Sequence, residues 1–217
     1  MSKKFAVISS TGASVVKAVY ANTNRVEFNL DLMVVDRDCG AKDFALSHDI
    51  PVEIIGSDVK KSISDEAIVI LKERKIDYVY LFFTRLLKGR ILNDYSEKII
   101  NFHPSLLPAC PGLHGFEDTL KSGAMLAGST AHLVDAGIDT GKIIYQAFAP
   151  VHSIPPKQLR HVIFAQQCAT LYAVHKRIKN NMTLLEVGSL SNCLKQGFLP
   201  NIDADALSLY QKVLNKG

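Results

Sequence analysis

The first hundred residues alternate short apolar runs with stretches in which apolar positions recur at helical spacing. Short apolar runs bounded by polar turns are typical of strands buried on both faces of a sheet. Because these runs alternate with helical stretches, the pattern predicts a Rossmann-like α/β fold with a mostly parallel sheet flanked by helices. The predicted strands are Phe5–Ser9, Leu30–Val35, Val52–Ile55, Asp77–Phe83 and Glu97–Phe102, and the predicted helices are Val15–Tyr20, Gly40–His48 and Asp65–Lys75, the last with Ser64 as its N-cap.

In the second half of the chain, apolar runs no longer alternate regularly with helical stretches. Two β-like runs, Gly128–Val134 and Lys142–Pro150, flank a turn and predict an antiparallel pair of strands added to the sheet. Neither an internal repeat nor a linker divides the sequence, which predicts a single domain over residues 1–217 with about 190–217 as a C-terminal appendage. The remaining predicted elements are a long helix from Lys157 to about Asn180, a strand at Thr183–Val187 and a terminal helix at Ala204–Leu214.

Composition narrows the class of protein. The chain has 217 residues, 47% of them hydrophobic, with 25 basic and 21 acidic side chains and a formal net charge of +4. That excess is too small and too scattered to indicate nucleic acid, and no apolar stretch approaches the ~18 residues of a membrane span. Four widely spaced cysteines and the absence of a signal peptide predict a cytoplasmic protein with reduced thiols. Its partners are expected to be small molecules, with a monomer and a homodimer both open.

Three loops follow predicted parallel strands and are where chemistry is expected. In an open α/β sheet, ligands bind beyond the carboxyl ends of the strands. The loops in question are Ser9–Ser14, the segment after Phe83 and the segment that begins at Asn101. The last of them carries the densest set of polar groups.

Asn101 and His103 are two residues apart at a strand's end, so their side chains leave the same face. Three prolines follow, which stiffen the loop. An amide and a protonated imidazole are donors suited to the oxyanion of an acyl transfer, and histidine also moves protons near neutral pH. On these two residues alone a structural interpretation stays open, in which Asn101 caps a turn and His103 is a hydrogen-bonded loop histidine.

The longer string around these residues carries a family resemblance. Asn101-Phe102-His103-Pro104-Ser105-Leu106-Leu107-Pro108, followed by Pro111-Gly112-Leu113-His114 and later Asp139-Thr140-Gly141, resembles the phosphoribosylglycinamide formyltransferase family. The resemblance covers roughly residues 4–172. It implies the formyltransferase fold and transfer of a formyl group from 10-formyltetrahydrofolate, as co-substrate, to the primary amine of phosphoribosylglycinamide in purine synthesis. The implied mechanism is direct attack through a tetrahedral intermediate, and no metal is expected.

Carried over residue by residue, the family's catalytic trio falls on Asn101, His103 and Asp139. Asn101 would hold the formyl oxygen, His103 would supply a proton, and Asp139 would favour the charged imidazole and help relay a proton from the amine. Taken alone, Asp139 is more typical of an ordinary turn residue, and it is the presence of His103 at the family's spacing that favours the catalytic role. His132, which shares a strand face with Thr130, would support the reaction centre, with a buried core histidine as the alternative.

The family's folate site lies in two loops. Apolar side chains there would flank the pterin while main-chain groups would read its polar edge. Arg85 would meet the carboxylate tail, unless it is a solvated surface arginine. The matching residues are Thr84, Arg85, Leu86, Leu87, Val134, Asp135, Ala136, Gly137 and Ile138.

The acceptor side departs from the family pattern. Backbone N–H groups of Gly12, Ala13 and Ser14 would bind the acceptor's phosphate, but Ser10 and Thr11 interrupt the family's glycine-rich turn. Gln167 stands where the family has a glutamate that contacts the ribose. A different amine acceptor, hydrolysis of formyltetrahydrofolate as in the deformylases, and folate binding without catalysis therefore remain alternatives.

Overall fold

One mixed sheet forms the centre of the molecule. The computed structural model describes residues 2–57, 60–184, 192–194, 197–199 and 203–216. Within these residues there are nine strands: β1 (Phe5–Ser9), β2 (Leu32–Val35), β3 (Val52–Ile54), β4 (Tyr78–Phe82), β5 (Ile99–His103), β6 (Leu126–Leu133), β7 (Ile143–Pro150), β8 (Asn192–Leu194) and β9 (Gly197–Leu199). They lie in the order β3-β2-β1-β4-β5-β6-β7-β9-β8.

The two halves of the sheet differ in strand direction. Strands β1 to β5 pair in parallel, and their central members are buried on both faces, which explains their continuous apolar sequence. From β5 onward, β6, β7, β9 and β8 are added antiparallel. The predicted fold class is therefore confirmed, including the antiparallel addition in the second half.

Seven helices accompany the sheet in the described part of the chain. Two short helices, α4 and α5, were not predicted, and the strand predicted at 183–187 lies mostly outside the described residues. The helices are α1 (Ser14–Asn22), α2 (Gly40–Ser47), α3 (Ile63–Glu73), α4 (Arg90–Asp94), α5 (Gly115–Lys121), α6 (Pro156–Lys179) and α7 (Ala204–Leu214).

The predicted N-cap of α3 is wrong. The cap is Ser62, whose hydroxyl accepts a hydrogen bond from the backbone N–H of Asp65 at 3.1 Å. Ser64 lies inside the helix, is buried, and accepts from the backbone N–H of Lys88 at 2.9 Å. Either serine precedes the acidic first turn, so the capping pattern in the sequence does not distinguish them.

Helix α6 lies across one face of the sheet and joins both halves of the core. Fifteen of its 24 residues are buried, so the helix is covered on several sides. Helix α7 places Ala206, Leu209, Tyr210 and Val213 in the same core cluster. No helix among the described residues has the length and apolar character needed to cross a membrane.

Candidate active site

The parallel strands bring the predicted loops to one edge of the sheet. Strands β1, β2, β4 and β5 run in the same direction, so their carboxyl ends and the loops that follow them share that edge. At the end of β5, Asn101 lies opposite His132 and His103 lies opposite Thr130 of the antiparallel strand β6. The side chains of Asn101, His103 and His132 meet at this point.

Asp139, in the turn between β6 and β7, closes the group. Its Oδ1 accepts a hydrogen bond from Nδ2 of Asn101 at 3.2 Å, and its Oδ2 accepts one from the backbone N–H of Gly112 at 2.7 Å. Nδ1 of His103 lies 3.4 Å from Oδ2, and Nε2 of His132 lies 3.5 Å from Oδ1. One carboxylate therefore contacts all three of the other polar side chains.

The surroundings of Asp139 keep its carboxylate ionised. Burial raises the pKa of Asp139. Hydrogen bonds from His132 and the Gly112 N–H, together with the charges of His103 and His132, lower the pKa by more than burial raises it. The net effect moves the pKa from 3.8 to about 2. Asp139 also has a positive φ of 54°, a conformation uncommon outside glycine and often associated with functional sites.

His103 is buried and held from both sides. Its Nε2 lies 2.9 Å from the carbonyl oxygen of Cys110, while Nδ1 faces Asp139. Both neighbours are hydrogen-bond acceptors, so the surroundings can accept from an N–H on either ring nitrogen. Gly115 lies directly behind the ring, since a Cβ added there would be 2.5 Å from Nε2. The loop carbonyl and this glycine fix the ring's position.

His132 and Thr130 have separate tasks. Nδ1 of His132 contacts the carbonyl oxygen of Leu133 at 2.8 Å, which leaves Nε2 to face Asn101 at 3.2 Å and Asp139. Thr130 is buried behind the site, where its hydroxyl donates to the Ser105 carbonyl and accepts from the Leu107 N–H. His132 thus belongs to the polar cluster, whereas Thr130 anchors the proline-containing loop.

A cavity of about 60 Å³ opens beside this cluster. Six of the nine residues predicted for the folate site line it, and Thr84, Ala136 and Ile138 do not. Leu81 and Phe83 line it as well, although they are not among the residues predicted for the folate site. The complete lining is Leu81, Phe83, Arg85, Leu86, Leu87, Asn101, His132, Val134, Asp135, Gly137 and Asp139.

The carboxylate of Asp135 builds the turn that carries Asp139. Its Oδ1 accepts hydrogen bonds from the Gly137 N–H at 3.0 Å and from the Thr140 hydroxyl at 2.7 Å. A Cβ on Gly137 would lie 2.0 Å from Oγ1 of Thr140, so the turn closes tightly around a residue without a side chain. This turn sets the position of one cavity wall.

Arg85 lines the cavity and also pairs with an acidic residue beyond it. Its Nε lies 2.9 Å from Oδ2 of Asp36, and the arginine side chain is 52% exposed. The sequence interpretation considered a substrate tail or solvent as its surroundings and missed Asp36.

The turn at residues 9–14 follows β1 and leads into α1. Ala13 has a positive φ of 48°, and a Cβ added to Gly12 would meet no atom within 4 Å. Ser14 begins α1, which has no side-chain N-cap, so N–H groups at this terminus are available to an anion. Of the predicted cradle residues, Gly12 adjoins open space and Ser14 is exposed, whereas Ala13 is buried.

Gln167 is buried on α6 and points toward the sheet. Its Nε2 donates a hydrogen bond to the carbonyl oxygen of Phe102 at 2.8 Å, beside the reaction-centre residues. Its amide nitrogen is therefore committed to β5. Among the described residues, no group of three or more His, Cys, Asp and Glu side chains has an arrangement suited to a metal ion.

Comparison with protein families gives the class. The family model described as Formyl transferase matches residues 3–158, which is most of the chain. The chain belongs to the formyl transferase family, and the resemblance seen in the sequence is confirmed. Membership of this family implies a folate co-substrate.

Particular relatives share a more specific name. Phosphoribosylglycinamide formyltransferase of Mycobacterium tuberculosis is 38% identical over 121 residues, a match that spans 54% of this chain and 56% of the relative. The protein of the same name in Bacillus subtilis is 33% identical over 152 residues, covering 66% of this chain and 77% of the relative. A crystal structure of phosphoribosylglycinamide formyltransferase from Bacillus halodurans has a TM-score of 0.75 and 29% identity, covering 85% of this chain and 100% of that one.

Proposed function

We propose that this protein transfers a formyl group from 10-formyltetrahydrofolate to the primary amine of phosphoribosylglycinamide, a step of purine synthesis. The observation that carries the proposal is the convergence of Asn101, His103, His132 and Asp139. All of these except His103 line one end of a cavity with apolar walls. The relatives named above add support, because they share both the fold and the phosphoribosylglycinamide formyltransferase name.

The chemistry asked of these residues is stabilisation of an oxyanion and movement of protons. When the substrate binds, one N–H of Asn101 Nδ2 exchanges its contact with Asp139 or His132 for a hydrogen bond to the formyl oxygen. His103 supplies positive charge and a proton. Asp139 is ionised near neutral pH, so it stabilises the imidazolium and helps relay a proton away from the attacking amine. Attack is direct, with no covalent bond to the enzyme. A new C–N bond forms between the amine and the formyl carbon, the bond from that carbon to N10 of the folate breaks, and the departing tetrahydrofolate nitrogen takes up the proton that His103 supplies.

The cavity fits part of a flat, largely apolar ring. Leu81, Phe83, Leu87 and Val134 supply its apolar walls, and the reaction-centre residues supply polar groups at one end. About 60 Å³ is well below the ~300–1,000 Å³ of typical ligand pockets. A bicyclic ring therefore fits only if side chains around the cavity entrance move. Leu86, which lines the cavity, and Ile138, in the neighbouring turn, are both half exposed.

All four polar residues come from one chain, which supports a protein that needs no second copy to assemble the reaction centre and works as a monomer or homodimer. The proposal includes a cytoplasmic location and small-molecule partners.

The test is a panel of amines offered with 10-formyltetrahydrofolate, read by formation of tetrahydrofolate. Phosphoribosylglycinamide is expected to give the highest kcat/KM. A different preferred amine would reassign the acceptor, and equal turnover without any amine would make the protein a hydrolase. Folate binding without turnover would contradict the enzymatic role.

A further inference from the structure

The carboxylate of Asp36, directly after β2, draws together two arginines from different loops. Arg37 donates to it through Nε at 3.0 Å and Nη2 at 2.8 Å, and Nε of Arg85 lies 2.9 Å from the same carboxylate. The Asp36 side chain is 0% exposed, whereas those of Arg37 and Arg85 are 49% and 52% exposed. The carboxylate is thus covered by guanidinium groups that remain open to solvent. These three residues are called the Asp36 cluster below.

The Asp36 cluster carries one positive charge in excess. Hydrogen bonding to Arg37 is the largest influence on the pKa of Asp36, which lies below its ordinary value despite burial, so the carboxylate is ionised. A guanidinium has five N–H donors. Arg37 spends two on Asp36 and Arg85 spends one. The remaining donors, on two groups already held in place, are available to a second anion at a reduced entropic cost.

The Asp36 cluster adjoins the proposed active site. Arg85 lines the cavity that also contains Asn101 and Asp139. Ser10, in the turn after β1, hydrogen bonds to Asp36 and accepts the Thr84 N–H at 3.2 Å, which ties the cluster to the two loops beside it. Three strand spacings separate β2 from β5, so Asp36 lies roughly 14 Å across the sheet edge from the reaction centre. The cluster is placed for an end group of a substrate and not for the reacting atoms.

The family resemblance implies that Arg85 meets the carboxylate tail of the folate. We propose that Arg37, which Asp36 holds beside Arg85, adds a further contact to the oxyanion end group of a substrate of this enzyme. The shared chemistry is a phosphate or carboxylate group, which a planar arginine fork recognises well. It comes either from the acceptor's phosphate or from the carboxylate tail of the folate. This inference rests on the proposed function for the identity of the two substrates. Arg37 sets affinity and specificity, and Asp36 is a positioning residue.

The first test is steady-state kinetics of Arg37→Gln, with Arg74→Gln as the matched control. Arg74 is 50% exposed and also pairs with a carboxylate, that of Glu53, through Nη2, but it lies at the opposite edge of the sheet, at the end of α3. Arg37→Gln is expected to raise KM for one substrate about tenfold with kcat nearly unchanged, because a charge-assisted contact is lost. Arg37→Lys, which keeps the charge but not the fork, is expected to fall between. The substrate whose KM changes identifies the source of the anion.

The second test measures binding without catalysis. Ribose 5-phosphate and p-aminobenzoylglutamate are titrated calorimetrically into the wild-type protein, Arg37→Gln and Arg74→Gln. One probe is expected to bind Arg37→Gln about tenfold more weakly, and the difference is expected to shrink at ~1 M salt, where exposed charges are screened. A purely structural role for Arg37 would not give this dependence on salt.

The two proposals fail separately. Arg37-dependent binding of either probe in a protein that transfers no formyl group would leave the anion site standing and overturn the proposed function. Formyl transfer with both KM values of Arg37→Gln within twofold of wild type, together with probe binding that is unchanged or undetectable in all three proteins, would overturn the anion site. A KM rise in Arg37→Gln that Arg74→Gln reproduces would overturn it as well.

Discussion

The proposed reaction centre and the proposed acceptor side lie at the same sheet edge but differ in how completely the protein's own groups fill them. At the reaction centre, Asn101, His103 and His132 all contact Asp139. On the acceptor side, Gly12 adjoins open space and Gln167 is bound to the Phe102 carbonyl. The first region is assembled before any substrate arrives, whereas the second offers backbone N–H groups with little around them.

This difference separates the question of which reaction is catalysed from the question of which amine accepts the formyl group. A preorganised set of donors around one point constrains the reaction, because oxyanion stabilisation depends on groups that are already in place. An open turn such as that at Gly12 constrains only the charge of a ligand and the direction from which the ligand approaches. The geometry therefore argues more strongly for formyl transfer than for a particular amine, and the predictions below test each side of that contrast.

The largest expected effect is at His103. His103→Ala removes a group held between Asp139 and the Cys110 carbonyl, so kcat is expected to fall by about 10³-fold through loss of proton transfer and of positive charge. Formation of tetrahydrofolate with saturating substrates measures it. His152→Ala, at an exposed histidine after β7, serves as control and should keep its activity. Near-wild-type turnover in His103→Ala would show that the preorganised cluster around Asp139 is not the reaction centre.

Asp139→Asn is expected to lower kcat by about 10²-fold while folate binding changes little. The amide keeps the shape of the side chain and can still accept the Gly112 N–H, but it carries no charge to stabilise the His103 imidazolium. Equilibrium titration with a folate analogue, alongside kinetics, separates the two effects. A parallel loss of folate affinity would contradict the assigned role.

The Asp139 carboxylate also makes the free energy of unfolding depend on pH in the acidic range. Its pKa is lowered in the folded protein, from 3.8 to about 2, so its contribution is present above about pH 4 and is lost as the pH falls toward 2. The contribution is on the order of 2 kcal/mol. Urea unfolding between pH 5 and pH 2.5 should therefore show a steeper loss for the wild-type protein than for Asp139→Asn. Parallel curves would contradict the shifted pKa.

Gly115→Ala tests whether the position of His103 depends on the loop behind it. The added Cβ would be 2.5 Å from Nε2 of His103 and 3.1 Å from the Cys110 carbonyl oxygen, so the ring or the helix start must move. Displacement of a catalytic group by about 1 Å is expected to cost roughly 10- to 100-fold in kcat. Kinetics together with the thermal unfolding midpoint distinguish displacement from unfolding, and an unchanged kcat would show that the ring tolerates the shift.

Much of the fold could be predicted because its central strands are apolar on both faces, as in Phe5–Ser9. What could not be predicted depends on contacts without a sequence pattern. The choice between Ser62 and Ser64 as the cap of α3 depends on backbone geometry, and the short helices α4 and α5 have too few turns to show a period.

The candidate site also contains residues that the sequence could predict and others that it could not. The spacing of Asn101 and His103 indicated a shared face, whereas Asp139, 36 positions beyond His103 in the sequence, came from the family resemblance. Gly115 and the Cys110 carbonyl escaped prediction because they act through a missing side chain and a backbone oxygen. Arg85 was predicted, but its partner Asp36 was not, since only the parallel pairing of the strands brings the loops after β2 and β4 together.

The smallest expected effect is on the acceptor side and is the sharpest test of the contrast. An alanine at Gly12 would have a Cβ with no atom within 4 Å and no positive φ to resist it, so Gly12→Ala should fold with an unchanged unfolding midpoint. If the turn's N–H groups approach a phosphate, the methyl group occupies space that the phosphate needs. The KM for the acceptor is then expected to rise about fivefold, while kcat and the KM for the folate stay constant. An unchanged acceptor KM would place the phosphate elsewhere, and the open turn would then be only the connection between β1 and α1.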